Sequence, residues 1–160
     1  MSVLFYGSAI VSILATLMTV TRINVVHALL YFIVSLLALA VIFYALGAPF
    51  AAALEVIVYA GAIMVMFLFV MMMLNLGKST QEQERAWMNP RIWIGPAILT
   101  APLLVQLVMV INTSNQLMAH SVVSAKDVGI ALFGPYVLAV ELASLLLLAG
   151  LVGAFHLARK

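Results

Sequence analysis

The distribution of charge limits this chain more than any motif does. Its twelve Lys, Arg, Asp and Glu residues leave charge-free runs at 1–21, 23–54, 56–77, 92–125, 128–140 and 142–158. Several of these exceed the roughly 20 residues that a membrane-spanning helix needs. Backbone groups in hydrocarbon must be satisfied internally, so a spanning chain is either helical or a closed barrel. The runs are continuously apolar and do not alternate with period two, which selects helices over a β-barrel. With 67% hydrophobic residues, 8% charged residues and a mean hydropathy of +1.27, no room remains for a soluble domain. The expected fold is an all-α integral membrane protein of one domain, residues 1–160, with five spans at about 2–21, 25–46, 50–76, 92–112 and 131–157.

The first run has no basic segment ahead of it and meets Arg22 without a small-residue cleavage site, so it is expected to be a retained helix. Counting Lys and Arg in the connections sets the orientation. Arg22, Lys78, Arg85, Arg91, Arg159 and Lys160 fall on one side and Lys126 alone on the other. This places the N-terminus outside and the C-terminus in the cytoplasm. The net charge of +2 follows from that bias, and with no basic cluster away from helix ends nucleic acid is not an expected partner.

Two connections are long enough to read. "GKSTQEQERAWMNP" opens with Gly77 and places Glu82 three residues after Ser79, the spacing of a capping box, so a short cytoplasmic surface helix is expected at about 79–88. Trp87 and Trp93 suit interfacial anchoring. The outer loop "NTSNQLMAHSVVSAKDVG" is polar, and no chemistry is assigned to it.

Catalytic signatures are absent: there is no Gly-rich phosphate loop, H-E-x-x-H or nucleophile elbow. His27, His120 and His156 are scattered along the chain and suit interfacial hydrogen bonding better than ligation. The run Met71-Met72-Met73 cannot converge on one ion, because consecutive helical side chains point about 100° apart. With no cysteine, the chain offers no thiolate site for a metal or an iron–sulfur cluster.

The chemically expensive residues are the two acids within the spans. A carboxylate at the bilayer centre costs about 3 kcal/mol on insertion scales, so Glu55 and Glu141 are candidates for a functional role. A helix starting near Pro49 puts Glu55 about 9 Å in, and one starting near Ala131 puts Glu141 about 15 Å in, close to the midplane. Tyr59 lies four residues after Glu55, on the same helix face. Ala60, Gly61 and Ala62 then bare three directions of helix surface, which suits either close helix packing or a π-bulge that turns the following side chains.

The stretches "EVIVYAGAIMV" and "FGPYVLAVELASLLLLAG", and more loosely "NVVHALLYFIVSLLALAVIF", resemble subunit J of the proton-pumping NADH:quinone oxidoreductase, respiratory complex I, in its bacterial form. The resemblance covers nearly the whole chain. It implies a multi-pass subunit of the bacterial inner membrane without redox centres of its own, lying beside subunits H, A and K, with FMN, iron–sulfur clusters and quinone held by other subunits. It also implies a third helix with a π-bulge that rearranges during coupling, with Tyr59, Ala60, Gly61, Ala62 and Val65 as the switch residues and Glu55, Tyr59 and Glu141 beside a proton and water path. Some bacterial relatives continue into a longer charged tail, whereas this chain ends at Lys160. Two other classes remain: an autonomous cation-coupled secondary transporter, for which no internal repeat is seen, and a purely structural helix-packing subunit, which leaves Glu141 without a reason.

Overall fold

A computed structural model describes residues 2–73, 90–113 and 122–159, and among these every regular element is helical. In chain order they are α1 (Ser2–Thr21), α2 (Val25–Ala45), α3 (Pro49–Leu54), a π-helical segment (Glu55–Ile63), α4 (Met64–Met73), α5 (Pro90–Thr113), α6 (Ala125–Phe133) and α7 (Val137–Ala158). The expected surface helix at 79–88, with Ser79, Glu82 and Trp87, lies outside the described residues, as do residues 114–121 of the outer loop. The chain forms two compact units, Met1–Val122 and Val123–Lys160. Among the described residues four helices are long and apolar enough to cross a membrane, Ser2–Thr21, Val25–Ala45, Pro49–Met71 and Val137–Ala158, and α5 contains a shorter apolar stretch, Trp93–Met109.

In the first unit, α1 and α2 pack along each other and α5 closes on both. Between helices in lipid there is little hydrophobic driving force, so close packing and polar pairs hold them together. The core shows both devices. Ala15 and Ala38 are fully enclosed and let the backbones approach, while Val11, Val34 and Leu103 fill the remaining volume. Beside them runs a ladder of polar groups. Ser8 donates to Gln106 Oε1 at 2.7 Å, joining α1 to α5. Ser35 of α2 pairs with Ser12 at 3.2 Å and with Thr16 at 2.8 Å, and Thr16 also donates to the Ser12 carbonyl at 2.8 Å.

Local chemistry sets the helix ends. Asn24 caps α2 by accepting the Val26 N–H at 3.0 Å. Gly47, at φ 81°, ends it in the left-handed conformation that a glycine adopts without strain. The Gly47 N–H bonds to Tyr44 O and the Ala48 N–H to Phe43 O, both at 3.0 Å, which is a complete Schellman closure. Pro49 then opens α3 at a position where its missing N–H is not needed. Pro96 and Pro102 lie within α5. Gly95 permits a close approach there, since a Cβ at that position would overlap the hydroxyl of the buried Tyr31.

The second unit departs from the expected fifth helix. That helix begins at Val137, not near 131, and the turn Gly134–Tyr136 separates it from α6. Pro135 has no N–H to continue the ladder, and Gly134 takes a non-helical conformation at φ −106°, ψ −107°. The Tyr136 N–H reaches back to Ala131 O at 3.1 Å and closes the turn. Ser124 and Asp127 form a capping box at the start of α6: the Asp127 N–H bonds to Ser124 Oγ at 3.3 Å, and the Ser124 N–H bonds to Asp127 Oδ2 at 3.0 Å.

Candidate functional site

The residues singled out on the third rod, Pro49–Met73, share one continuous helix whose winding changes along its length. At Glu55 the N–H still bonds back to Ala51 O in the α pattern. Over Glu55–Ile63 the winding is π-helical, and the Met64 N–H reaches Tyr59 O, five residues back. One extra residue per turn displaces all later side chains by roughly 100° about the axis. The sequence at this point is E-V-I-V-Y-A-G-A-I, in which Gly61 has a steric role. A Cβ built on Gly61 would stand 3.1 Å from the Val56 carbonyl oxygen, which is tight and requires a shift of a few tenths of an ångström.

Glu55 is 9% exposed in the isolated chain, which is unusual for a carboxylate on an apolar helix. Among the described residues its carboxyl group has no hydrogen-bond partner. Tyr59 is half-exposed and makes no hydrogen bond to Glu55, so their shared position on the helix does not join them here. Ala60 and Gly61 are partly covered, while Ala62 and Val65 face outward. Met64 is enclosed, at 2% exposed.

Glu141 belongs to the second unit. It lies four residues after Val137, so at 1.5 Å per residue it is about 6 Å from the start of α7 rather than the 15 Å expected from a helix beginning at 131. The break at Gly134-Pro135 is the reason for the correction. Its side chain is exposed, and its carbonyl accepts a hydrogen bond from Ser144 Oγ at 2.8 Å.

Several polar residues of the site region escaped the sequence argument. The ladder of Ser8, Ser12 and Thr16 had a visible signal, hydroxyls at i, i+4 and i+8 on one helix face. His27, expected to hydrogen-bond at the interface, has its Nε2 buried with no partner among the described residues. Asp127, outside the spans, is held below the ordinary carboxylate range by the Ser124 hydroxyl first and the Ser124 backbone N–H second. Among the described residues no three of His, Asp and Glu converge on a point that would hold a metal. An apolar groove of about 700 Å³ opens between α2, the rod and α5.

Residues 15–157 match the family of NADH-ubiquinone/plastoquinone oxidoreductase chain 6. The chain belongs to this family. Similar proteins include NADH-quinone oxidoreductase subunit J of Escherichia coli, 60% identical over 157 residues that cover 98% of this chain and 85% of the relative. The subunit J of Pseudomonas aeruginosa is 58% identical over 158 residues, covering 98% and 95%. That of Buchnera aphidicola from Schizaphis graminum is 46% identical over 161 residues, covering 100% and 99%. The chain-6 family match takes in the whole third rod and α7 as far as Leu157, and hence both acids and the π-helical segment.

Proposed function

We propose that this chain is a membrane-arm subunit of an NADH:quinone oxidoreductase in a bacterial inner membrane, and that its third rod switches winding to couple quinone reduction to proton translocation. Family membership and relatives named as subunit J support the assembly. The observation that carries the mechanism is the π winding of Glu55–Ile63, because π winding inside α-helices is rare and frequently marks functional sites. The chain supplies no redox chemistry. Quinone, FMN and iron–sulfur clusters belong to other subunits, and H, A and K are the neighbours. Five spans place the N-terminus outside and the C-terminus in the cytoplasm.

The mechanism follows from the geometry of the rod. A change from i→i+5 to i→i+4 bonding keeps nearly every backbone hydrogen bond while turning one half of the rod against the other. It therefore costs far less than melting a turn in hydrocarbon. Glu55 and Tyr59 lie within the segment that changes, so their polar atoms move relative to the neighbouring subunits and make or break a hydrated path. Glu141, in the second unit, is a further carboxylate proposed to take part in proton transfer with the partner subunits. Glu55 and Glu141 are the only acids within the spans and no Lys or Arg accompanies them, so this chain cannot form a complete proton relay alone. The partner subunits complete it. This dependence separates the proposal from an autonomous transporter.

Gly61→Val tests the switch. A β-branched side chain stiffens the turn and crowds the Val56 carbonyl in the π form. The variant complex should assemble and oxidise NADH with an artificial acceptor, yet lose quinone reduction and pumping together. Full quinone reductase activity per assembled complex would refute the switch. Loss of the subunit, with normal activity in what remains, would leave Gly61 as a packing residue only.

A further inference from the structure

We infer that the Gln106 carboxamide, held by Ser8 in a notch at Gly7, presents its N–H donors to a transmembrane helix of another subunit that carries a side-chain oxygen acceptor. This rests on the assembly proposed above and not on the switch. Ser8 is fully enclosed, and its hydroxyl donates to Gln106 Oε1 at 2.7 Å. That bond fixes which way the amide faces. With Oε1 turned to Ser8, Nε2 lies across α1 at Gly7, where a Cβ would stand 2.5 Å from it. Glycine at position 7 is what leaves the amide this room. An amide nitrogen carries two donors, and among the described residues neither has an acceptor. The nitrogen is not enclosed either, since Gln106 is half-buried and the buried side-chain nitrogen left without a partner among the described residues is His27 Nε2. The donors therefore reach the surface of the first unit.

The surroundings decide what can accept them. Gln106 lies within the apolar stretch Trp93–Met109, and Ser8 lies within Ser2–Thr21, about 9 Å from the start of α1 at 1.5 Å per residue. At that depth lipid offers only hydrocarbon tails, and an amide left unpaired among them is costly. Reaching out to the headgroups is closed to it, because the bond to Ser8 and the notch at Gly7 hold it across α1. The surface beside it is apolar: Val3, Ile10 and Leu14, on the Gly7 side of α1, and Met109, one turn along α5, are all exposed. Such a surface suits a helix and does not suit a water-filled channel. A helix in the bilayer bonds its own backbone carbonyls, so the acceptor is a side chain, Asp, Glu, Asn, Gln, Ser or Thr.

Two measurements on the purified NADH-oxidising complex test this. A photoreactive benzoylphenylalanine in place of Ile10, one turn from Gly7, should cross-link to a membrane helix of another subunit, at a turn containing one of those acceptor residues. It is read with Ser8 and Gln106 unaltered, so it does not depend on how variants of either fold. Release of the subunit on detergent challenge is then compared in the native chain, Ser8→Ala, Gln106→Met and the double variant. Methionine keeps the length of glutamine and removes the amide. If Gln106 serves only to bind Ser8, Gln106→Met has no further effect once Ser8→Ala has removed that bond. If its donors hold a neighbour, Gln106→Met should speed release about threefold in the Ser8→Ala background as well, the effect of one average polar pair in a membrane interior. No further effect in that background would overturn the inference. So would a cross-link to lipid alone, or to a turn with none of those side chains. A native chain that does not co-purify with NADH oxidation would instead remove the assembly itself, and the inference with it.

Discussion

The approach of α5 to α2 at Gly95 offers a quantitative check on how α1, α2 and α5 pack. A Cβ at position 95 would overlap the Tyr31 hydroxyl, with the ring carbon Cζ next at 3.1 Å. Tyr31 is 5% exposed and cannot swing away, and the Arg22 guanidinium stands over its ring at 5.5 Å from the centroid. Gly95→Ala must therefore push the helices apart, an overpacking cost of about 1–3 kcal/mol. Tyr31→Phe removes the clashing oxygen and keeps an aromatic face for Arg22, so alone it should cost less than about 1 kcal/mol. In the double variant the nearest obstacle is the ring carbon at 3.1 Å, which a shift of a few tenths of an ångström relieves. The double variant should thus be more stable than Gly95→Ala by about 1–2 kcal/mol, a coupling within the range for residues in contact. The assay is the thermal midpoint of the assembled complex in native membranes, followed by retention of the subunit. Additive effects, with the double variant at least as unstable as Gly95→Ala, would refute the Tyr31–Gly95 contact and with it this packing of α5 on α2.

Three further outcomes follow from single groups. Ser35→Ala removes both rungs between α1 and α2, and at about 0.6 kcal/mol for each polar pair in a membrane interior it should cost about 1 kcal/mol in the same melt, whereas Ser144→Ala, whose hydroxyl bonds only within its own helix, should cost less. The Asp127 carboxyl is depressed in the folded state, so its contribution to capping α6 is present above the ordinary Asp value and is lost as pH falls through the lower folded value. Hydrogen exchange of 125–133, corrected for intrinsic rates, should show that acid-induced loss in the native protein and reduced protection already at neutral pH in Asp127→Asn. Glu141→Gln keeps shape and hydrogen bonding without titration and should lower coupled proton transfer with assembly intact, and unchanged pumping would remove Glu141 from the path.

How far the chain could be read beforehand depended on which interactions were local. Pro49 as a helix start is a property of one residue's own backbone, and it is found where the charge-free runs and the proline placed it. Gly134-Pro135 is equally local, yet the apolar run around it suggested unbroken helix. Hydropathy reports the environment and says nothing of a missing N–H, so it does not reveal that the helix carrying Glu141 starts at Val137 and not near 131. The Ser124–Asp127 box was missed for a related reason: it sits in a polar loop that carried no chemistry, although its S-x-x-D spacing matches that used to assign Ser79 and Glu82. The Ser35 hub, the Gly95 contact and the groove join residues far apart in the chain, and a single sequence carries no distance information between them. At Ala60–Ala62 small side chains allow either winding, so side-chain identity alone does not decide between bonding to the fourth or the fifth residue back.

The switch at Glu55–Ile63 is tested most directly by density maps of the intact NADH-oxidising complex, one at rest and one trapped during turnover, each resolving the carbonyls of this turn. Bonding of the Met64 N–H to Tyr59 O in one state and to Ala60 O in the other, with α1, α2 and α5 superimposable between them, is the predicted result. The same winding in both states would contradict it.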